Sequence, residues 1–409
     1  DVDAASLFAD PAMVRDADLA AEKLVALFPE LEAAELRRHL ADGTRRFMWI
    51  KRGLTPIEVQ RAHDLGLPGL GFRREPRRVY PTRFLTSHFI GQVDVDNRGI
   101  SGIERHIDEI GETDVATVPR RSQRAPVRLS IDLGVQNAVA DTLADAMKQY
   151  KAQGASGVIL DVASGEIIAA VSLPNQDVEK FPGADEADRF DRVAGGVFEL
   201  GSIAKIVTLA LALDDLGASL SRIYDTREPL RFGRYTISEQ YPPARPLTLA
   251  EILVRSSNVG AGLIAMEAGV PRQRAFLDRL GLLDAIRTEA GRVAPPLLPA
   301  NWGALEGVTI AYGHGLAVAP LQFAAAAAGL VNGGIKVRPT LIRQDAVPAG
   351  EARVVSPATS AAIRAALRRV VTDSQGTGRR AEIEGYEIAG KTGTAEQPGR
   401  GGYNDKTVI

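Results

Sequence analysis

The chain has 409 residues, of which 45% are hydrophobic and 24% charged, and its formal net charge is −2 at pH 7. This length predicts two or three domains, and the composition excludes a disordered or fibrous protein. The absence of cysteine excludes thiol catalysis, disulfides and zinc–thiolate sites, and the nearly balanced charge gives no reason to expect nucleic acid as a partner.

The first predicted helical region runs from Ala12 to Pro68 and is amphipathic. Its clearest helix start is LTPIEVQRAHDLG, in which Thr55 is the predicted N-cap, Pro56 the first helical residue and Glu58 the partner that closes a capping box. The sequences GFRREPRRVYP and GQVDVDNRGISGIERHIDEIG follow, and they mix short strand-like pieces with Gly and Asn turns. These patterns predict an irregular α+β domain.

A basic, proline-flanked stretch, VPRRSQRAP, occupies Val118–Pro126 and is typical of a linker or a domain edge. We therefore predict an N-terminal domain over residues 1–125 and a second domain over residues 126–409. An arginine-rich run lies before this edge and could face anionic lipid, but such runs more commonly form a solvated surface or internal ion pairs. Its members are Arg73, Arg74, Arg77 and Arg78.

The second domain opens with VRLSIDLGVQNAVADTLADAMKQYKAQG, which predicts a strand followed by a long amphipathic helix. The sequence GVILDVASGEIIAAVSL predicts a hairpin that turns around Ala163, Ser164 and Gly165. Helices are predicted from Ser202 to about Leu283 and from Pro320 to Asn332, and YEIAGKTGTAE predicts a short late strand. Because strands come from both ends of this domain, we predict an α/β (α+β) fold in which sequence-distant segments meet.

The longest apolar runs are Ile206–Leu213 and Phe323–Val331, and both are shorter than the roughly 18 residues that a membrane span requires. They predict core helices. The first residues, DVDAASLFADP, do not resemble a signal peptide.

One apolar run, FELGSIAKIVTLALALDDLG, contains Lys205 one turn after Ser202. A helix that is hydrophobic on nearly all sides is normally buried, and burial lowers the proton affinity of an amine. Serine at i and lysine at i+3 share one helix face, so a neutral Lys205 can take the proton of Ser202 and make it a nucleophile. Gly201 fits a helix start, where free backbone N–H groups favour a developing oxyanion.

A Ser-x-x-Lys spacing arises by chance about once in a chain of this length, so neighbouring motifs must decide its meaning. The sequence VRSSNVGAGL places Ser256 and Asn258 on a short, exposed turn between helical patterns at Leu247–Val254 and Val259–Ala268. Taken alone, this element would be a helix cap.

The third element is AGKTGTAE, which is predicted to be a strand carrying a second lysine and small hydroxyl residues. It contains Lys391, Thr392, Gly393 and Thr394. Taken alone, Lys391 would be a surface lysine, while Gly393 would let a ligand backbone come close. Together and in this order, S-x-x-K, S-x-N and K-T-G predict serine acyl transfer.

With these motifs the sequence resembles a class B penicillin-binding protein, a peptidoglycan D,D-transpeptidase, over nearly the whole chain. The second domain resembles the penicillin-binding transpeptidase domain through GVILDVASGEIIAAVSLP, FELGSIAK, RSSNVG, YGHGLAVAPLQ and IAGKTGTAE, and the first resembles the family's pedestal through RRVYP and GISGIERHID. The resemblance implies a central, mainly antiparallel sheet flanked by helices. The Ser-Ser-Asn element and the modest N-terminal region favour the division-specific septal type over the elongation-specific type.

The resemblance also implies roles for the motif residues. Ser202 would be the acylated nucleophile, Lys205 its base, and Ser256 the relay that passes a proton to the leaving amine. Asn258 would hold the substrate amide and help fix Lys205. The substrate carboxylate would be bound by the positive field of Lys391 and by the hydroxyls of Thr392 and Thr394, and the backbone N–H groups of Ser202 and Thr394 would form the oxyanion hole.

The sequence departs from the family pattern at several places. Ile203 and Ala204 stand where a Thr-Phe type of pair is usual, and Glu396 stands where Gln is frequent. The chain stops at NDKTVI, near the start of a strand that usually continues the sheet, and the family's N-terminal membrane anchor is not in it. We expect the native product to extend past both ends.

His314, between glycines in YGHGLAVAPLQ, could be taken as catalytic, but no acidic or second histidine spacing accompanies it, and we interpret it as a structural turn at the edge of the site. We predict neither a cofactor nor a metal. The predicted partners are peptidoglycan stem peptides on nascent glycan strands, β-lactam antibiotics, a separate glycan polymerase and division proteins. The predicted location is the periplasmic side of the bacterial inner membrane.

Two other classes of function remain open at the level of sequence. The first is hydrolysis by the same machinery, as in a D,D-carboxypeptidase or β-lactamase, although the sequence lacks a recognisable water-positioning glutamate loop and the Ser-Asp-Asn form of the second motif. The second is a non-catalytic divisome scaffold, against which the intact Ser202, Lys205, Ser256 and Lys391 argue.

Overall fold

The computed structural model describes residues 1–112, 126–178, 185–239, 242–347, 352–399 and 402–408. The chain divides into two compact units. The smaller unit contains residues 1–81, 92–100 and 107–112, and the larger contains residues 82–91, 101–106 and the described residues from 126 onward. Residues 113–125, which hold most of the predicted linker, lie outside the described ranges, so the boundary after residue 125 stays a prediction.

The smaller unit is built on a three-stranded antiparallel sheet. Its elements are β1 (Val2–Ala9), α1 (Ala17–Leu27), α2 (Ala33–Leu40), β2 (Met48–Leu54), α3 (Pro56–Asp64) and β3 (Leu70–Arg77). The sheet order is β2-β1-β3, so β1 is the central strand. The α+β content predicted for this region is confirmed, but the predicted run of helices between residues 12 and 68 is wrong at β2, where packing against β1 decides the structure.

The core of this unit lies between the sheet and its helices. Leu7 on β1 and Leu24 on α1 are fully buried, and Phe28 after α1 is 1% exposed. Burying such side chains stabilises a fold by roughly 1.5–3 kcal/mol each. The predicted start of α3 is confirmed, because Thr55 accepts from the Glu58 backbone N–H while the Glu58 carboxylate accepts from the Thr55 backbone N–H.

The remaining helices are α4 (Ser87–Ile90), α5 (Gly102–Glu112), α6 (Leu133–Tyr150), α7 (Glu186–Arg189), α8 (Lys205–Asp214), α9 (Leu249–Val254), α10 (Asn258–Ala268), α11 (Val270–Arg279), α12 (Ala304–Tyr312), α13 (Pro320–Val331) and α14 (Pro357–Thr372). The remaining strands are β4 (Ala155–Leu160), β5 (Ile167–Leu173), β6 (Phe198–Glu199), β7 (Ile223–Tyr224), β8 (Leu230–Phe232), β9 (Tyr235–Ile237), β10 (Leu247–Thr248), β11 (Arg287–Thr288), β12 (Gly291–Arg292), β13 (Ala317–Val318), β14 (Glu396–Gly399) and β15 (Gly402–Val408).

Helix α8 lies at the centre of the larger unit. Every residue from Lys205 to Ala212 is buried, and α8 packs against α9, α10, α12, α13 and α14. Neighbours on all sides explain why its sequence is apolar all round. Within the described residues, no helix is both long and apolar enough to cross a bilayer.

The predicted hairpin is confirmed as the antiparallel pair β4–β5. The Asp161 carboxylate holds its turn by accepting from the Ala163 and Ser164 backbone N–H groups. The strand predicted at the start of the second domain is wrong, because residues 126–132 make only an isolated bridge, Leu129 to Ile342. The named strand pairs among the described residues are all antiparallel, and the mixed α/β class is confirmed.

Candidate active site

The serine and lysine of the first motif lie at the start of α8. A 3₁₀ turn, Gly201–Ala204, carries Ser202 and continues directly into the helix at Lys205. Lys205 is only 2% exposed, and its Nζ lies 2.8 Å from Ser202 Oγ. The i, i+3 spacing therefore brings the two side chains into hydrogen-bond contact, as predicted.

Three further oxygen atoms surround the Lys205 amine. Nζ lies 2.9 Å from the Ser256 carbonyl oxygen, 3.1 Å from Ser256 Oγ and 2.6 Å from Asn258 Oδ1. A neutral amine has two N–H groups and one lone pair, so donation to the carbonyl and amide oxygens leaves the lone pair for a hydroxyl proton. This arrangement leaves the lone pair of a neutral Lys205 amine next to the Ser202 hydroxyl.

The environment favours that neutral form. Burial, together with the nearby positive charge of Lys391, lowers the pKa of Lys205 to about 7, and the negative charge of Glu239 opposes this shift. The neutral amine is thus well populated near pH 7, whereas an exposed lysine would be almost fully protonated there.

Ser256 lies in the turn between α9 and α10, and Asn258 is the first residue of α10. Both are half-buried, so the prediction of an exposed turn is wrong: the Lys205 amine and the carboxylate of Glu239 pack against it. Ser256 has φ +60°, a left-handed conformation that costs a non-glycine residue energy and recurs at functional sites. This conformation places both its hydroxyl and its carbonyl oxygen beside Lys205.

Glu239 fixes this turn. Its carboxylate accepts from the hydroxyl of Ser257 and from the backbone N–H groups of Asn258 at 3.2 Å and Val259 at 3.1 Å. Ser257, rather than Ser256, is the N-cap of α10, since its Oγ accepts from the Gly260 backbone N–H at 2.8 Å. The carboxylate therefore meets the positive end of a helix.

Lys391 approaches the same serine from the third motif. Its Nζ lies 3.0 Å from Ser256 Oγ and donates to the Thr392 carbonyl oxygen at 2.8 Å, while burial lowers its pKa to about 8. The predicted strand YEIAGKTGTAE is wrong, because residues 386–395 belong to no strand and β14 begins only at Glu396. The Thr392 hydroxyl lies 2.8 Å from that of Thr377.

The turn that carries Ser202 packs closely against two backbone segments, one at Gly313 and one at Thr394. The Gly201 N–H donates to the Gly313 carbonyl oxygen at 3.0 Å, and a Cβ at Gly201 would lie 2.4 Å from the Thr394 carbonyl oxygen. Gly201 has φ +51°, which a side chain would also disfavour. A Cβ at Gly393 would lie 2.9 Å from Ile203 Cγ2, so the close neighbour that requires glycine there is the Ser202 turn itself.

A cleft of about 870 Å³ opens over these groups. The predicted site residues that line it are Ser202, Ser256, Asn258, Thr392, Gly393 and Thr394. Lys205 lies beneath its floor, and His314 is on its wall, with Nδ1 2.9 Å from Glu199 Oε2. Among the described residues, no group of three or more His, Asp or Glu side chains is placed to hold a metal ion.

Several cleft residues were not predicted from the sequence. The polar ones are Glu239, Arg255, Ser257, Gln375 and Thr377. Glu239 lies eighteen positions before the Ser257 hydroxyl that it binds, and no motif connects them. Thr377 similarly meets Thr392 only through the folded chain. One sequence feature indicates an acceptor here: the Ser-Ser-Asn element precedes a helix, and the first N–H groups of a helix need an acceptor.

Comparison with known proteins places these residues in a family context. Residues 155–409 match the model of the penicillin-binding protein transpeptidase domain. The chain is 35% identical to the probable peptidoglycan D,D-transpeptidase FtsI of Caulobacter vibrioides over 96% of its own length and 66% of the relative's. It is 30% identical to FtsI of Escherichia coli K12 over 90% of its own length and 65% of the relative's.

A solved structure shows the same fold. The apo transpeptidase domain of Burkholderia pseudomallei penicillin-binding protein 3 matches with a TM-score of 0.62 and 29% identity, covering 71% of this chain and 82% of that one. The chain thus spans about two thirds of the length of the two FtsI relatives and most of the solved domain.

Proposed function

Because the chain belongs to the penicillin-binding protein transpeptidase family, within its class B, FtsI-like branch, we propose that it is a serine D-Ala-D-Ala transpeptidase that cross-links peptidoglycan stem peptides in septal wall synthesis. The observation that carries the proposal is the position of the Lys205 amine, within 3.1 Å of both Ser202 Oγ and Ser256 Oγ. A neutral amine between two hydroxyls can accept a proton from one and pass it on through the other.

In the first half of the reaction, Ser202 Oγ attacks the carbonyl carbon of the penultimate D-alanine while Lys205 accepts the hydroxyl proton. The carbonyl oxygen becomes an oxyanion, for which the backbone N–H groups of Ser202 and Thr394 are the proposed donors. The C–N bond then breaks, and Ser256 passes a proton to the departing D-alanine amine. An ester between Ser202 and the shortened peptide remains.

In the second half, the amine of a neighbouring stem peptide attacks this ester. A new amide bond forms, the ester C–O bond breaks, and the proton lost by the amine returns to Ser202. Lys391, with the hydroxyls of Thr392 and Thr394, would hold the terminal carboxylate of the donor peptide. A β-lactam carries a similar carboxylate next to a strained amide, and its opening on Ser202 would leave a lasting ester.

The proposed substrate also determines the partners and the location that we propose for the enzyme. Nascent glycan strands that carry stem peptides lie on the periplasmic side of the inner membrane, so we place the enzyme there. The family model matches a transpeptidase domain, and we propose that a separate glycan polymerase and division proteins work with it.

Intact-mass spectrometry with benzylpenicillin tests the proposal. We expect one drug mass added to the parent protein, persisting for minutes, and none added to Ser202→Ala. A protein that adds no mass would be a scaffold, and one that destroys the drug within seconds would be a β-lactamase. Either result, or an adduct on another residue, would exclude the proposed function.

A further inference from the structure

Arg368 lies on α14 and binds the segment that leads to Lys391. Its guanidinium donates to the Ile388 carbonyl oxygen at 2.6 Å, three residues before Lys391. A second contact lies next to it, because the Gly390 backbone N–H donates to the Leu367 carbonyl oxygen at 3.3 Å. Two consecutive residues of α14 therefore hold the chain directly before Lys391.

Glu382 holds the guanidinium in the orientation that this contact needs. Its two carboxylate oxygens accept from the two terminal nitrogens of Arg368, at 2.6 and 2.7 Å, so the planar fork is fixed by a bidentate pair. The Arg368 side chain is 33% exposed and that of Glu382 is 42% exposed, and a partly exposed ion pair contributes little to stability. The position that it gives to the Ile388 carbonyl group is therefore its more important consequence.

Helix α14 is also in contact with the helices at the other two motifs. It packs against α8, which begins at Lys205, and against α9, which ends two residues before Ser256. Leu367 of α14 belongs to the hydrophobic core that α8 and α9 share. Residues 386–395 belong to no strand, so strand pairing does not fix their position and the contacts with α14 help to do so. Through α14, the Lys391 amine is held 3.0 Å from Ser256 Oγ.

Resting on the transpeptidase function proposed above, we propose that Arg368 is a positioning residue for Lys391. Arg368 does not line the cleft, and it acts through its contact with Ile388, which keeps the Lys391 amine where its charge meets the carboxylate of a donor peptide or a β-lactam. A displacement of about 1 Å in a binding group can lower a rate by up to ~10²-fold. The effect should be confined to ligands that carry this carboxylate, because only they use the Lys391 charge.

The test compares acylation by benzylpenicillin with acylation by its methyl ester, which lacks the negative charge. Intact-mass spectrometry over time gives the second-order rate for each, and the ratio of acid to ester is the readout. We expect the parent to favour the acid about tenfold or more and Arg368→Gln to lower this ratio roughly three- to tenfold. Arg368→Lys keeps one charged donor, so its ratio should lie between those two.

Two further variants show whether Arg368 acts through Lys391. The ratio should already be low in Lys391→Ala, and adding Arg368→Gln to that variant should lower it no further. Arg369→Gln is the matched control, because Arg369 is the next residue of α14 but pairs with Asp373 at 3.3 Å. The parent ratio should persist in it.

An acid-to-ester ratio in folded Arg368→Gln that equals the parent ratio overturns the inference, even if both rates fall, because a merely structural role slows the two drugs alike. A further fall in the double variant also overturns it. If circular dichroism shows that Arg368→Gln does not fold, Arg368→Met, which keeps an aliphatic stem, is judged by the same criteria. The proposed function survives these results as long as benzylpenicillin acylates Ser202 in the parent, whereas the absence of that adduct would overturn the function itself.

Discussion

Lys391 Nζ lies 3.0 Å from Ser256 Oγ, the same hydroxyl that lies 3.1 Å from the Lys205 amine. One serine therefore contacts two lysines that are distant from each other in the sequence. The two amines differ in pKa: burial lowers the pKa of Lys205 to about 7 and that of Lys391 to about 8. This difference leaves a pH interval in which Lys205 is mostly neutral and Lys391 mostly charged.

That interval predicts a bell-shaped pH profile. The second-order rate of acylation by a chromogenic cephalosporin should rise with pH near 7, as Lys205 loses its proton and becomes a base. It should fall above about 8, as Lys391 loses the charge that attracts the drug's carboxylate. Stopped-flow measurements from pH 5.5 to 9.5 would show both limbs, and a rate that is flat across this range would contradict the assigned roles.

Replacement of the buried Lys205 tests whether the site needs its basicity or only its charge. Lys205→Arg keeps the positive charge but cannot supply a neutral nitrogen, because arginine stays protonated. We expect the acylation rate to fall at least ~10²-fold, the effect typical of losing a positioned general base. Circular dichroism should show a folded variant. A folded Lys205→Arg enzyme that acylates at nearly the parent rate would mean that Lys205 acts only as a charge.

The chemistry of the site was predictable because it depends on local spacing and on motif order. Ser202 and Lys205 share a helix face by periodicity alone, and the capping box at Thr55 is likewise a local pattern. The strand predicted around Lys391 was wrong because a strand needs a hydrogen-bonding neighbour, which no sequence pattern guarantees. Contacts between distant segments, such as Glu239 with the Ser257 turn, depend on the packed fold: the sequence indicates that the first N–H groups of α10 need an acceptor, but not that Glu239 is that acceptor.

The hydroxyl of Thr394 offers a conservative test of carboxylate binding. Thr394 is exposed on the cleft wall, and valine keeps its shape while removing the hydroxyl. Thr394→Val should lower acylation efficiency by roughly 1 to 3 kcal/mol of lost charge-assisted bonding. The measurement is the second-order rate with benzylpenicillin, and Thr394→Ser, which retains the hydroxyl, should keep most of it. Equal rates in parent and Thr394→Val would exclude the hydroxyl from binding.

Removal of the negative charge of Glu239 should have two separable effects, one on stability and one on the pH dependence of acylation. Glutamine keeps one carbonyl oxygen as an acceptor for the turn, so Glu239→Gln should fold, with a free energy of unfolding lower by about 1–3 kcal/mol because a charged acceptor at a helix start is lost. The negative charge of Glu239 raises the pKa of Lys205. Without it the amine loses its proton more easily, so the rising limb of the acylation profile should move to lower pH.

A matched variant distinguishes this electrostatic effect from lost stability. Glu306 also caps a helix, α12, by accepting from the Gly303 backbone N–H at 2.9 Å, but it does not line the cleft. Glu306→Gln should therefore cost some stability without moving the rising limb. Urea unfolding and stopped-flow acylation across pH would be measured for both variants. A limb in Glu239→Gln that stays at the parent position, or moves to higher pH, would show that the Glu239 charge does not act on Lys205, and its role would then be only to hold the turn that carries Ser256 and Asn258.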